Sequence, residues 1–387
     1  MANMKELTQE LNAYMLDIFH RLHMYPEVGF ELPRTTALVK AELDKLGIAS
    51  TDRYGKCSLV AQIGQKPDVP TLGIRADMDA LPVQEQTDLP YRSKIDGAMH
   101  ACGHDSHTAI LLTVAKILKS REAELPCNVR LLFQPSEEGA VSGAKMMADN
   151  GCLEGVDAVI CVHCEEALPS GSLGYQKGEC MAACVPLCLK FHGITSHATI
   201  PEAGVDAIAM AAESYGALKA MVKEEAGDRP YIWSVGVFQG GEVHNVIADL
   251  CTQYISFRFY DEEFAERVHK RTVEITEEIA ARYGGRIEVL WHMSCPPVNN
   301  DAALVAHLEK VAAMLPGVEL IEMPAKRSSE DFSWFTAQRP GMLFRYGIHN
   351  EAKGCVAAAH RPDFMVDEDT MQLAALAFVN FAMTYGK

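Results

Sequence analysis

Apolar residues recur at helical intervals near the start of the chain. The positions that carry this pattern are Met4, Leu7, Leu11, Tyr14, Ile18 and Leu22. Intervals of three or four place side chains on one face of an α-helix. A second helical stretch covers residues 35–46 and is followed by Gly47, a residue typical of helix C-termini. The pattern therefore predicts two amphipathic helices before the first strand.

Short apolar runs replace the helical pattern after residue 50. They predict buried strands at 57–63, 71–75, 129–134 and 157–163, with helices at 106–119 and 143–149. Strands that alternate with helices form an open, mostly parallel sheet covered by helices on both faces. The first fold prediction is an α/β domain of this kind.

The order of elements changes between residues 185 and 293. Here the pattern predicts a strand at 186–192, a helix at 205–224, strands at 231–239 and 250–260, a helix at 262–283 and a strand at 286–292. This is the split β-α-β-β-α-β order of a two-layer, ferredoxin-like α+β domain. We therefore predict a first domain in two parts, 1–184 and 295–387, with an inserted domain at 185–294.

Charge and composition restrict the possible partners and location. The 387 residues include 35 Lys plus Arg and 52 Asp plus Glu, a formal net charge of −17. This charge opposes binding to nucleic acid or to an anionic membrane surface. There is no apolar run of about 18 residues and no apolar core of a signal peptide near the N-terminus. The 12 scattered cysteines are typical of reduced thiols, so we expect a cytoplasmic protein.

Potential metal ligands occur in the run Met-His-Ala-Cys-Gly-His-Asp-Ser-His that ends at residue 107. Cys102 and His104 flank Gly103, which allows a tight turn that aims both donors at one point. Alone, this pair would more often be a buried thiol beside a hydrogen-bonded histidine. The chain supplies compatible partners, which are Glu137, Glu138, His163 and His360. Thiolate, imidazole and carboxylate together suit zinc, manganese, cobalt or nickel.

Paired carboxylates follow two of the predicted strands. Glu137 and Glu138 come after the strand at 129–134, so one could bind metal while the other takes a proton from water. The alternative is a solvated acidic turn. Asp77 and Asp79 follow the strand at 71–75. Three roles are open for them: metal ligands, groups that orient a histidine ligand, or caps of backbone amides. With a histidine ending a third strand, these groups converge at the carboxyl edge of the sheet.

Five motifs together resemble the aminoacylase-like metallopeptidase family. They are Arg-Ala-Asp-Met-Asp-Ala-Leu-Pro-Val (75–83), the run at 99–107, Gln-Pro-Ser-Glu-Glu-Gly (134–139), Ser-Ser-Glu-Asp-Phe (328–332) and Ala-His-Arg-Pro-Asp-Phe (359–364). The resemblance is to hippurate hydrolases, N-acyl-amino-acid amidohydrolases and indoleacetyl-amino-acid hydrolases. It implies a centre of two divalent ions held by Cys102, His104, Glu138, His163 and His360, with Glu137 as general base and Asp79 in support.

The resemblance also assigns the inserted domain as a lid that forms a homodimer. His197 would reach the partner's active site to stabilise the oxyanion, and Asn245 and Arg258 would hold the substrate carboxylate. The alternative for Arg258 is a surface residue paired with an acid. The chain departs from the family pattern at Glu202 and at residues 255–257, so substrate preference does not carry over.

The resulting functional prediction is a metal-dependent amidohydrolase that cleaves N-acyl amino acids. A dipeptidase or carboxypeptidase of the same family is the nearest alternative. A metal-binding interaction protein that has lost catalysis is a third possibility, but Glu137 beside five candidate ligands argues against it. The expected partner is a small N-acyl amino acid or peptide.

Overall fold

The computed structural model describes residues 7–386 and divides into two compact units. The first comprises Met1–Cys180, Val298–Ala325 and Asp331–Lys387. The second comprises Met181–Pro297 and Lys326–Glu330. The predicted insertion covers residues 185–294, whereas the second unit also includes Lys326–Glu330 from beyond that range.

Helices and strands alternate through most of the described chain. The helices are α1 (Gln9–His23), α2 (Pro33–Lys45), α3 (His104–Ser120), α4 (Gly143–Asp149), α5 (Ala207–Ala226), α6 (Glu262–Tyr283), α7 (Ala302–Ala312), α8 (Ser333–Thr336) and α9 (Glu368–Thr384). Short 3-10 turns occur at Glu122–Glu124, Pro201–Ala203 and Glu351–Lys353. Between residues 7 and 386, no helix combines the length and the apolar character that crossing a membrane requires.

The strands belong to three sheets. They are β1 (Ser50–Thr51), β2 (Leu59–Ile63), β3 (Thr71–Asp77), β4 (Asn128–Gln134), β5 (Ala158–Pro169), β6 (Ser172–Tyr175), β7 (Gly178–Met181), β8 (Ala183–His192), β9 (Ile232–Gly240), β10 (Leu250–Phe259), β11 (Arg286–Trp291), β12 (Val298–Asn300), β13 (Glu319–Glu322) and β14 (Gly341–His349). Strands β7 and β12 form a small sheet of their own.

The first unit is built on an eight-stranded sheet in the order β1-β2-β4-β3-β5-β14-β6-β13. Its centre, from β4 to β14, is parallel. All seven residues of β3 are buried, so both faces of the sheet are covered there. Helix α3 packs on β3 and against α1 and α9, while α4 packs on β4 and against α8. This arrangement confirms the predicted α/β fold.

The second unit has an antiparallel sheet in the order β11-β8-β10-β9, with helices α5 and α6. Alternate residues of β8 and β10 are buried, and they pack with both helices in one apolar core. The chain order β-α-β-β-α-β confirms the ferredoxin-like prediction. Ile255 and Phe257, two of the positions that depart from the family pattern, belong to this core.

Some predicted boundaries were wrong in detail. Asp77 is the last residue of β3 and does not follow the strand. His163 does not end its strand, because β5 continues to Pro169 beside β14. The register still brings His163 beside the end of β3: Arg75 pairs with Cys161, so two residues further on Asp77 lies level with His163. Met4, part of the first helical pattern, lies outside the described residues.

A buried ion cluster joins α1 to the start of α3. His23 places Nδ1 2.6 Å from Asp105 Oδ2 and Nε2 3.2 Å from Glu85 Oε1, and all three side chains are at most 4% exposed. Burial alone would lower the pKa of His23, but hydrogen bonds to the two carboxylates raise it to about 9. His23 is therefore a cation at neutral pH, and it pairs with two buried carboxylates.

Removing this cation should strongly destabilise the protein. We expect His23→Ala to lower the free energy of unfolding by about 3–5 kcal/mol near pH 6.5, because two carboxylates remain buried without their partner. Since the folded pKa of about 9 lies above the ordinary 6.5, the contribution of His23 is complete below pH 6.5. It is lost as the pH rises through 9, so the difference between variant and wild type should narrow there.

Urea unfolding of wild type and variant at pH 6.5 and above pH 9 measures the difference in the free energy of unfolding. The control is Lys40→Ala, which removes an exposed ion pair with Asp44 and should cost less than about 1 kcal/mol. Equal stability of the two variants at pH 6.5 would show that the His23 cation does not stabilise the buried carboxylates.

Candidate metal centre

The predicted donors do come together at the carboxyl edge of the parallel strands. Two groups of possible ligand atoms, each with its atoms within 4.8 Å of one another, are Cys102 with His104 and His163, and Cys102 with Glu138 and His360. Cys102 belongs to both groups. Glu137 lies beside them, in a further group with His104 and Glu138.

Cys102 and His104 owe their positions to the turn that starts α3. Gly103 is the N-cap of this helix and has a left-handed φ of 81°. A Cβ atom at this glycine would lie 2.5 Å from Cys164 Sγ, so both the backbone conformation and the available space require glycine. The predicted tight turn therefore exists, and His104 is the first residue of the helix.

Two histidines present one ring nitrogen each to the centre. Nδ1 of His104 donates to the Asp79 carbonyl at 2.8 Å, and Nδ1 of His163 donates to the Cys164 carbonyl at 2.6 Å. The remaining Nε2 of His163 lies 3.5 Å from Cys102 Sγ. Fixing the proton on Nδ1 leaves the Nε2 lone pair available for a metal, a common arrangement around metal-binding histidines.

Glu138 and His360 form the other side of the centre. Glu138 Oε1 lies 3.0 Å from His360 Nε2. His360 has a left-handed φ of 69°, and its backbone N–H donates to the Ala101 carbonyl at 2.7 Å. A histidine is rarely found in this conformation, so the fold holds it there against local strain.

Asp79 supports the loop that carries the two glutamates. Its carboxylate accepts the backbone N–H of Glu137 at 2.9 Å and of Glu138 at 3.1 Å. Its carbonyl accepts Nδ1 of His104. Asp79 therefore links the loop to the helix that carries the histidine.

Asp77 and His107 satisfy each other and are poor candidates for ligands. Asp77 accepts Nδ1 of His107 through Oδ1 at 2.7 Å and Arg75 Nη1 through Oδ2 at 2.7 Å. Nε2 of His107 accepts the N–H of Cys164 at 3.0 Å. Although His107 and Asp77 lie near other donors, their atoms are already engaged in the core.

The electrostatics of the centre suit a cation. Burial raises the pKa of the Cys102 thiol well above its usual range, and the Glu138 carboxylate adds to this. Burial alone would lower the pKa of His104, but the carboxylates of Asp77 and Asp79 raise it to about 10. Burial, aided by the charge of Arg345, lowers the pKa of His163 well below its usual value. A divalent cation would replace the protons held by the thiol and by His104.

An unsatisfied atom points to the same conclusion. Among residues 7–386, Nε2 of the buried His104 has no hydrogen-bond partner. Buried polar atoms are normally paired, and this one belongs to a residue of the candidate ligand groups. The donor set therefore fits a centre of divalent transition-metal ions.

The three lid residues named from the sequence all lie in the second unit. His197 is exposed, and its Nδ1 contacts Thr199 Oγ1 at 2.8 Å and accepts the Thr199 N–H at 3.3 Å. Asn245 lies beside it, because its carbonyl accepts the Ala198 N–H at 3.0 Å. Arg258 donates to the Arg327 carbonyl at 3.3 Å.

Asn245 and Arg258 do not lie close together within one chain. Asn245 lies at the end of the sheet where β10 begins, because its carbonyl accepts the Ala198 N–H and Leu250, the first residue of β10, pairs with His192. Arg258 is the ninth residue of that strand, and the eight steps from Leu250 to Arg258 span about 26 Å. This separation is too long for one small substrate carboxylate to contact both residues of the same chain.

Arg75, Gln134 and Asp331 form a buried network beneath the centre that the sequence analysis did not identify. Arg75 Nε donates to Gln134 Oε1 at 2.7 Å, and Arg75 Nη2 donates to Asp331 Oδ1 at 3.1 Å. The motifs that contain these residues were recognised from the sequence. Their contacts, however, join positions up to 256 residues apart, and no local pattern reveals them.

Comparisons with known proteins agree with this geometry. The model of Peptidase family M20/M25/M40 matches residues 73–384. An N-acetyl-L-cysteine deacetylase of Bacillus subtilis (strain 168) is 35% identical over 359 residues, 92% of this chain and 85% of the relative. Thermostable carboxypeptidase 1 of Saccharolobus solfataricus is 33% identical over 387 residues, 99% of this chain and 98% of the relative.

A solved structure shares both the fold and substantial sequence. It is a dinuclear metal-binding peptidase of the M20 family from Bacillus subtilis, with a TM-score of 0.85 and 31% identity, covering 97% of this chain and 98% of that one. The recognition made from the five motifs is confirmed. The protein belongs to peptidase family M20/M25/M40 and is a hydrolase that acts on amide bonds.

Proposed function

We propose that this protein hydrolyses the amide bond between an acyl group and an amino acid at a centre of two divalent ions. The observation that carries the proposal is the pair of ligand groups that share Cys102, with Glu137 beside them. The deacetylase relative acts, by its name, on an N-acyl amino acid of this class.

Five side chains would hold the ions. Cys102 would contribute to both positions, with His104 and His163 completing one and Glu138 and His360 the other. Thiolate, imidazole and carboxylate donors fit manganese, zinc, cobalt or nickel. Bound there, such ions polarise a carbonyl and make water more acidic.

Glu137 is the proposed general base. Its side chain is 12% exposed, and its Oε2 lies 4.0 Å from His104 Nε2, at the edge of the centre. Because Asp79 fixes its backbone N–H, the carboxylate is held where it can take a proton from the attacking water and pass it to the leaving amine.

His197 is the proposed oxyanion donor. Since Nδ1 accepts the Thr199 N–H, the ring proton is on Nε2, which can donate to a developing negative charge. Arg258 and Asn245 suit a substrate carboxylate as donors of hydrogen bonds. Their separation within one chain favours a homodimer in which each site takes lid residues from both copies.

A carboxypeptidase or dipeptidase is the second candidate function. It is favoured by the thermostable carboxypeptidase, which this chain matches over nearly its whole length. Incubating the metal-loaded enzyme with a pool of N-acyl amino acids and dipeptides, and following each compound by mass spectrometry, separates the two. Loss of dipeptides alone would reject the N-acyl amino acid proposal.

The metal centre predicts a characteristic pattern of metal content. The wild type should bind about two ions per chain, His163→Ala and His360→Ala about one each, and Cys102→Ala fewer than either, because Cys102 serves both positions. Inductively coupled plasma mass spectrometry of the dialysed proteins measures the number of ions per chain. The control His307→Ala removes a histidine bonded to Thr384, and it should keep two ions. Equal metal content in all five proteins would contradict the ligand assignment.

The adjacent glutamates should have separable roles. Glu137→Gln should retain bound metal and lose turnover by at least about a hundredfold, the lower range for removal of a general base. Glu138→Gln should lose metal as well as turnover. Metal analysis and an N-acetyl amino acid assay on the same preparations test this, and identical metal loss in both variants would reject the division.

Mixing two inactive variants tests whether the lid acts across a dimer. Glu137→Gln lacks the base, and His197→Ala lacks a donor whose loss can cost about a hundredfold. If His197 serves the partner's site, a heterodimer contains one site with both groups intact and turnover should return. Verified heterodimers without recovered turnover would show that the shared site does not exist.

A further inference from the structure

Asp331 is a buried carboxylate with no role in the chemistry proposed above. It is 5% exposed and lies in the recognised Ser-Ser-Glu-Asp-Phe motif. Its Oδ1 accepts Arg75 Nη2 at 3.1 Å and Gln134 Nε2 at 2.7 Å, and its Oδ2 accepts Ser142 Oγ at 2.6 Å and the Ala144 N–H at 3.2 Å. Both carboxylate oxygens are therefore used to hold other parts of the chain.

Apart from Arg75, these donors lie at the two ends of the loop that carries the paired glutamates. Gln134 ends β4 and immediately precedes the loop, while Ser142 is the N-cap of α4 and immediately follows it. Inside the loop, Ser136 has a left-handed φ of 51° and its carbonyl accepts the Gly143 N–H at 3.0 Å. Asp331 therefore bonds to both ends of a strained loop.

The same carboxylate also reaches the histidine side of the centre. Arg75, which donates to Asp331, also donates to Asp77 at 2.7 Å. Asp77 in turn holds Nδ1 of His107 and lies 3.6 Å from His104 Nε2. Asp331, Arg75 and Asp77 form a continuous buried chain of charges between the glutamate loop and the start of α3.

We propose that Asp331 is a positioning residue that fixes Glu137 and Glu138 relative to the histidine ligands. This inference rests on the proposed function of those residues. Asp331 acts by holding the two ends of the loop together. A displacement of about 1 Å at a reacting group can cost about a hundredfold in rate, so the loop has to be held firmly.

Asparagine is the substitution that separates this role from simple packing. It has nearly the same shape, but only one of its two side-chain ends accepts hydrogen bonds. If its oxygen stays with Arg75 and Gln134, its amide group faces the Ala144 N–H, where two donors oppose each other. Asp331→Asn should therefore release the far end of the loop and preserve the arginine contact.

Asp367 offers a matched control. Its side chain is 2% exposed and also accepts four donors, which are Ser170 Oγ, Asn350 Nδ2, Lys353 Nζ and the Asp369 N–H. It caps α9 and has no bond to the glutamate loop in the described residues. Asp367→Asn removes an equivalent buried charge at a site outside the glutamate loop. It therefore shows what an Asp-to-Asn substitution does by itself.

Hydrogen–deuterium exchange on the metal-loaded protein is the deciding experiment. Amides of residues 136–144 should exchange at least about tenfold faster in Asp331→Asn than in wild type, and no faster in Asp367→Asn. Unchanged exchange in Asp331→Asn, or an equal increase in both variants, would overturn the inference. If Asp331→Asn does not fold, Ser142→Ala removes one donor to Oδ2, and it should raise exchange in the same segment.

Kinetics with N-acetyl-L-cysteine provide a second readout. Asp331→Asn should lower kcat at least about tenfold with KM within twofold, because the base is displaced while substrate contacts remain. Asp367→Asn should match wild type. If the wild-type protein hydrolyses no N-acyl amino acid, the proposed function is wrong. The hydrogen–deuterium exchange result still decides the role of Asp331 in that case.

Discussion

The buried ion pair of Arg75 and Asp77 is the interaction on which the centre depends. The two side chains are 1% and 0% exposed, and both lie on β3, a strand with no exposed residue. Burial alone would raise the pKa of Asp77, but Arg75, together with His104 and the hydrogen bond from His107, holds it well below the ordinary value. Loss of one partner from such a pair commonly costs about 3–5 kcal/mol, because the other charge remains buried.

The regular parts of the fold could be predicted from the sequence because they depend on local periodicity. Helix α6 and helix α4 were predicted with the bounds that the structure has. Strand β5 was predicted too short because its second half pairs with β14, which is remote in sequence. Strands β6 and β7 were missed because each has only four residues. Tertiary pairing therefore set the boundaries that local patterns could not.

The candidate site was predictable to the extent that donor chemistry is recognisable in isolation. A cysteine and a histidine around a glycine, or two glutamates after a strand, suggest a metal centre before any distance is known. The supporting groups carry no such signal. His23 and Asp331 became meaningful only when the structure showed the buried charges that they contact. The same holds for the separation of Asn245 from Arg258, which depends on the direction of β10.

The second unit is built from two separate segments of the chain, so it cannot be exchanged as one continuous module. Residues 326–330 come from beyond the insertion, yet the Lys326 carbonyl accepts the Ala182 N–H at 3.1 Å and the Tyr260 hydroxyl at 2.9 Å. The chain therefore crosses between the units four times rather than twice. A chimera that exchanges residues 181–297 as one cassette would leave five residues facing a foreign surface. Grafting this unit between relatives requires two coordinated replacements.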